Sequence, residues 1–189
     1  EGCQAPIDKG NDAFYRNGDT YTVTHESCSG GNIPSLKGQI TCVNGHWSEQ
    51  VSCLKGASYS ITVKTADDWF AGTNGEVYLY MYGSIENSGK IILHGEFEAG
   101  DVDLTNGHFV DVGKIKRIVL SSGRYVYWLP DYVTIHVEDT DDLYVFRYSI
   151  RNYILDGSTV LYPEGNCSRP FINRPLAKEL YSNSDLRHK

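Results

Sequence analysis

The stretch from Tyr59 to Gly83, YSITVKTADDWFAGTNGEVYLYMYG, constrains the fold of this chain more than any other. Ile61 and Val63 alternate with Thr62 and Lys64, and Val77, Leu79 and Met81 alternate with Tyr78, Tyr80 and Tyr82. A side-chain period of two puts one set on a buried sheet face and the other on the opposite face. The stretch therefore reads as strand, exposed loop, strand. The loop, Asp67-Asp68-Trp69-Phe70-Ala71-Gly72-Thr73-Asn74-Gly75, mixes carboxylates, glycines and two large aromatics. Such a loop can hold a hard cation through oxygen atoms and present apolar rings beside it.

Further alternating runs follow at turn-separated intervals: Lys90 to His94, His108 to Val112, Ile115 to Leu120, Tyr125 to Leu129, Tyr132 to Val137 and Leu143 to Tyr148. With the first two they make about eight strands, the number expected of a two-sheet antiparallel sandwich. No segment carries a convincing 3.6-residue period. The 14 Tyr and 19 Gly fit a strand- and turn-rich, all-β protein. No apolar run approaches the roughly 20 residues that cross a bilayer as a helix. The net charge of −7 disfavours nucleic acid as a partner and disfavours simple attraction to anionic lipid. The chain starts at Glu1 with no leader-like apolar stretch behind it, so we expect a mature form whose leader has been removed or left out.

Cys3, Cys28, Cys42 and Cys53 crowd into the first 53 residues, and Cys167 stands apart. Four cysteines in so short a segment point to disulfides and an oxidising, extracellular compartment. Zinc is disfavoured because the spacings contain no C-x2-C pair. Spacing alone leaves three connectivities open. Around these cysteines, Cys3-Gln4-Ala5-Pro6 gives C-x-x-P, Tyr21 to Val23 reads as a strand before the second cysteine, and Cys42-Val43-Asn44-Gly45-His46-Trp47 carries G-x-W. The segment resembles a sushi (complement control protein, CCP) module, with Val51 where that family usually has proline. The resemblance implies the pairs Cys3–Cys42 and Cys28–Cys53, with Trp47 in the core.

From Tyr59 onward the W-F-A-G-T loop and V-Y-L-Y strand resemble the PLAT/LH2 domain of animal lipoxygenases. The likeness runs on through Phe97-Glu98-Ala99-Gly100 with Asp103, Asp111-Val112-Gly113-Lys114-Ile115, Tyr127-Trp128-Leu129, Tyr132 to Ile135, Tyr144-Val145-Phe146 and Tyr153-Ile154. Ala99 replaces the usual arginine and Tyr153 a tryptophan. The resemblance implies an eight-stranded antiparallel β-sandwich with Trp128 in its core. It further implies calcium ligands at Gly72, Asn74 and Gly75 in one loop and at Gly95, Glu96 and Glu98 in another. Asn74 and Gly75 stand where the family often has aspartate, and Asp67, Asp68 and Asp101 are available to compensate. Trp69 and Phe70 fall where the family inserts an aromatic into membrane; the alternative is packing within the molecule or against a protein partner.

The sequence contains no G-x-S-x-G elbow, no H-E-x-x-H and no phosphate loop. Asp101-Val102-Asp103-Leu104-Thr105 opens like an EF-hand but lacks its later glycine and glutamate, and is rejected as one. Lipoxygenases and lipases carry their catalytic residues outside the PLAT domain, so no enzyme is expected here. Asn166-Cys167-Ser168 is a glycosylation acceptor if the chain is secreted. Cys167 is the odd thiol and a candidate for an intermolecular disulfide. Leu176 to Tyr181 could form a short helix.

These readings divide the chain into a sushi/CCP module at 1–56, a PLAT/LH2 domain at 57–163 and an extension at 164–189. They favour a secreted, non-enzymatic binding protein whose loops contact lipid or a protein partner, with calcium as a possible cofactor. An alternative is a structural or assembly subunit of an extracellular matrix, fibre or body-fluid complex, linked through Cys167. A venom or defence component is a further alternative.

Overall fold

The structure is a computed structural model, and it describes residues 2–7, 13–123, 127–148, 154–155 and 157–164. Asn166, Cys167, Tyr153 and the Leu176–Tyr181 segment lie outside the described residues. The chain divides into two compact units. One holds the residues up to Ala57 together with Phe109–Asp111; the other holds Ser58–His108 and the chain from Val112.

In the first unit, β1 (Gly2–Gln4) pairs with β2 (Phe14–Arg16), and β3 (Thr20–Val23) with the central β5 (Gly38–Val43). A single 3-10 turn, His25–Ser27, precedes β4 (Ile33–Pro34). β5 turns back into β6 (His46–Trp47), and β4 pairs with β7 (Cys53–Leu54). Asn44 and Gly45 make the β5–β6 turn with φ of 52° and 83°, the left-handed pair that a tight hairpin requires. Disulfides join Cys3 to Cys42 and Cys28 to Cys53. These are the pairs implied by the sushi resemblance. The core is small: Ile7, Val23, Cys28, Ile40 and Val51, with Tyr21, Leu36 and Trp47 packed against it. Trp47 therefore sits at the core's margin rather than inside it. Its ring meets Tyr15 and Tyr21 edge-on, and its Nε1–H donates to the Gln4 carbonyl at 2.8 Å.

The chain from Gly56 onward forms two four-stranded sheets. One has the order β10-β9-β12-β17, from Ile91–Ile92, Val77–Tyr82, Arg117–Ser122 and Ser158–Leu161. The other has the order β11-β8-β14-β15, from Val102–Val110, Gly56–Thr65, Pro130–Val137 and Asp142–Arg147. A short ribbon of β13 (Tyr127–Trp128) and β16 (Ile154–Leu155) stands outside both sheets. Alternation drives burial as expected. Ile61, Val63, Val77, Leu79, Met81, Ile118, Leu120 and Ile135 are all but inaccessible, while Tyr78, Tyr80 and Tyr82 are half-buried on the outer face. Burying such aliphatic side chains is worth about 1.5–3 kcal/mol each and supplies the main driving force.

The all-β sandwich is as expected; the membership of its strands is not. The expected strand at His108 to Val112 begins instead at Val102, and the run Tyr125 to Leu129 contributes only the two-residue β13, outside both sheets. The eighth sandwich strand is β17, which the alternation did not reveal.

Candidate functional site

Two loops at one end of the sandwich make the candidate site. The first, residues 66–76, links β8 to β9; the second, residues 93–101, links β10 to β11. Main-chain hydrogen bonds join them. Thr73 N–H donates to the Phe97 carbonyl (3.0 Å), Gly100 N–H to Ala66 (2.9 Å) and Thr65 N–H to Asp101 (3.0 Å). Lys64 reinforces the seam from below, donating through Nζ to the Gly100 carbonyl (2.6 Å) and to Asp67 Oδ1 (2.9 Å).

Side chains from the core hold both loops in shape. Trp128 is fully buried and donates Nε1–H to Thr65 Oγ1 at 3.1 Å. Its ring takes Phe97 edge-on at 5.7 Å between centroids. Phe97 is thereby anchored although its φ is +49°, an uncommon value for a bulky residue. Its neighbours Glu96 and Glu98 are carried outward and exposed. Asp103 braces the same turn, its carboxylate accepting from Glu96 N–H and Phe97 N–H, each at 3.2 Å. Burial pushes the Asp103 carboxyl above the usual range; the two amides oppose that shift, and the charges of Asp101 and Glu96 add to it.

Two glycines let these parts approach. A Cβ at Gly95 would sit 2.4 Å from the Asp103 carboxyl carbon, so any side chain there would displace the brace. A Cβ at Gly72 would sit 3.1 Å from Glu98 Cα and 3.2 Å from its Oε2. Gly72 therefore lets Glu98 fold back across the first loop.

The result is an open cleft of about 230 Å³ lined by Thr73, Asn74, Gly75, Gly95, Glu96 and Glu98. Five of the six residues proposed from sequence as cation ligands line it; Gly72 lies behind Glu98 instead, and Thr73 takes a place in the lining. Asp67, Asp68 and Asp101 do not line the cleft, and Asp67 is committed to Lys64. Among the described residues no group of three His, Cys, Asp or Glu side chains is gathered for a metal. The side-chain donors of the lining are nevertheless oxygen-bearing: the Glu96 and Glu98 carboxylates, the Asn74 amide and the Thr73 hydroxyl. That set suits a hard cation completed by water and excludes the soft ligands zinc prefers. Beside the cleft, Trp69 and Phe70 are 87% and 73% exposed, so packing in the domain's own core is ruled out for both.

Residues 59–152 match the PLAT/LH2 domain family. This segment is a PLAT/LH2 domain. Human lipoxygenase homology domain-containing protein 1 is 30% identical over 109 residues, a match covering 52% of this chain and 5% of that protein. The mouse protein of the same name is 31% identical over the same length. Among solved structures, the chain superposes on a LOX variant with a TM-score of 0.53 at 26% identity, covering 68% of this chain and 19% of that one. A coral 8R-lipoxygenase, described as showing calcium activation via a C2-like domain, gives a TM-score of 0.52 at 25% identity and covers 68% of this chain and 20% of that one. The chain thus spans only a small part of each of these relatives. Lys64, Asp103 and Thr65 each support the PLAT loops, a role that alternation and residue type do not disclose. Of the three, Asp103 alone carried a signal, its position after the F-x-x-G run.

Proposed function

We propose that this chain is a secreted, non-enzymatic binding protein whose PLAT loops insert Trp69 and Phe70 into a lipid surface, assisted by calcium in the adjoining cleft. The observation that carries this reading is that the loop bearing two highly exposed aromatics also forms one wall of a cleft lined by oxygen donors. Large apolar side chains held clear of the core are costly unless something covers them. The net charge of −7 gives anionic lipid no general attraction to the chain, so apolar insertion and a bridging cation are the routes that remain. Asn74, Gly75, Gly95, Glu96 and Glu98 would hold the ion, and calcium would supply positive charge between the loops and lipid phosphates. The likeness to a lipoxygenase described as calcium-activated through its C2-like domain supports this assignment.

The first unit is read as a sushi/CCP module, supported by its C-x-x-P and G-x-W motifs and by the pairs Cys3–Cys42 and Cys28–Cys53. A disulfide-dependent module of this size also supports an extracellular location. Flotation of the full chain with phosphatidylcholine–phosphatidylserine vesicles, in calcium and in chelator, tests the reading. Calcium-dependent flotation is expected; no flotation in either condition rejects lipid as the partner.

A second reading is an assembly subunit linked through Cys167. It is favoured by one observation: the other four cysteines pair with one another, leaving Cys167 as the odd thiol. Non-reducing electrophoresis of native material separates the two, because the linked subunit would run as a dimer or larger. Loss of the glycan expected at Asn166 would be visible on the same gel as a mobility shift.

A further inference from the structure

Four asparagines precede glycine in this chain: Asn17, Asn44, Asn74 and Asn106. The Asn–Gly step is the one most open to succinimide chemistry, because glycine places no side chain against the attacking nitrogen. The fold restrains three of the four. Asn17 Oδ1 accepts from Asn44 N–H (2.8 Å), and Gly18 N–H donates to the Cys42 carbonyl (2.8 Å). Asn44 is fixed at a left-handed φ of 52° in a turn whose flanks, Val43 and His46, are paired. Asn106 lies within β11, and its Oδ1 accepts from Ser60 Oγ at 2.9 Å. Asn74 differs. All four are exposed, but Asn74 lies in the long β8–β9 loop, without the left-handed φ of Asn44, the strand setting of Asn106 or the long-range bonds of Asn17. Gly75 N–H makes a local contact with the Thr73 hydroxyl at 3.1 Å.

We infer that Asn74 is a deamidation site, and that its conversion to aspartate or isoaspartate raises the cation affinity of the cleft. The Gly75 nitrogen, on losing its proton, attacks Asn74 Cγ. A Cγ–N bond forms, the Cγ–Nδ2 bond breaks, and Nδ2 departs as ammonia. Water then opens the succinimide at either carbonyl, so that one amide and one water become one carboxylic acid and one ammonia. The cleft gains a third carboxylate beside Glu96 and Glu98. Calcium sites are tuned in affinity largely by their ligand charge. The modification follows from the local structure alone; only its consequence rests on the cation reading given above.

Two measurements on the full chain test the inference. Peptide mapping during incubation in mildly alkaline buffer should show Asn74 converting several-fold faster than Asn17, Asn44 and Asn106, and the advantage should vanish in urea. If any of those three converts as fast as Asn74 in the folded chain, the modification site is overturned. Asn74→Asp should then reach its calcium-induced melting shift at several-fold lower calcium than wild type. An unchanged calcium midpoint in Asn74→Asp overturns the consequence. If neither protein responds to calcium, the cation reading itself fails and takes the consequence with it, and the map still decides the modification independently.

Discussion

Asp103 shows how much of this site depends on a residue that touches no ligand. Its two carboxylate oxygens satisfy consecutive amides in a turn where Phe97 has a positive φ and no strand partner. Leaving the part-buried Phe97 amide unpaired costs about 1–3 kcal/mol. Asp103→Ala should lower stability by that order in a denaturant melt and loosen Glu96 and Glu98 together; a change within about 0.5 kcal/mol, typical of an unimportant surface site, would deny it the bracing role. A pH dependence follows from the same residue. Burial holds its folded pKa above the ordinary carboxylate value, so the native state keeps a proton that the unfolded chain has released. Between those two values stability falls as pH rises, because there the folded form binds more protons. Asp103→Asn removes that slope. Melts of both proteins across the mildly acidic range check it, and parallel curves would show that Asp103 does not titrate as described.

Legibility in the sequence varied with the element. β8 and β9 were readable because each buries every second residue and all the buried ones are apolar apart from Thr65. β11 was misplaced because its pattern runs against the rule: Leu104 is 55% exposed, while Thr105 on the opposite face is 4% exposed. Thr105 tolerates burial because its hydroxyl accepts from the His94 amide at 2.8 Å, a pairing that hydrophobic periodicity cannot register. β17 was invisible for a different reason, since only Leu161 of its four residues is buried. The candidate loops are readable by residue type and their convergence from the PLAT resemblance, but the main-chain bonds and the Lys64 contacts that join them are not. Asp67, available by residue type to compensate in the ligand set, is instead paired with Lys64. The aromatic tip gives the prediction at this scale. Trp69→Ala with Phe70→Ala should leave stability within about 0.5 kcal/mol of wild type, as substitutions at exposed positions do. Burying each ring in a partner contributes about 1.5–3 kcal/mol, so the pair should weaken vesicle binding by roughly a hundredfold or more. Unchanged binding would remove the tip from the contact surface.

At the scale of the whole molecule, the two units achieve stability by different means. The second unit buries continuous apolar faces from two four-stranded sheets, which is enough core for a domain of its length. The first gathers a core cluster of five buried residues, one of them a cysteine in a disulfide, and its sheets have two or three strands each. Its cross-links span 39 and 25 residues of sequence. Closing loops of that size restricts the unfolded chain by about 3.5–4 kcal/mol apiece on the chain-entropy estimate, as much as a small core supplies. Reduction should therefore act on one unit alone. Calorimetry of the full chain should show two transitions, and a strong thiol reductant should abolish or sharply lower one of them while leaving the other in place. Tyr15, Tyr21 and Trp47 cluster in the first unit and Trp128 lies in the core of the second, so near-ultraviolet signals can follow both. A single transition that moves as a whole under reductant would mean that the sandwich depends on the disulfide-bonded unit, and the two could not be treated as separate folding units.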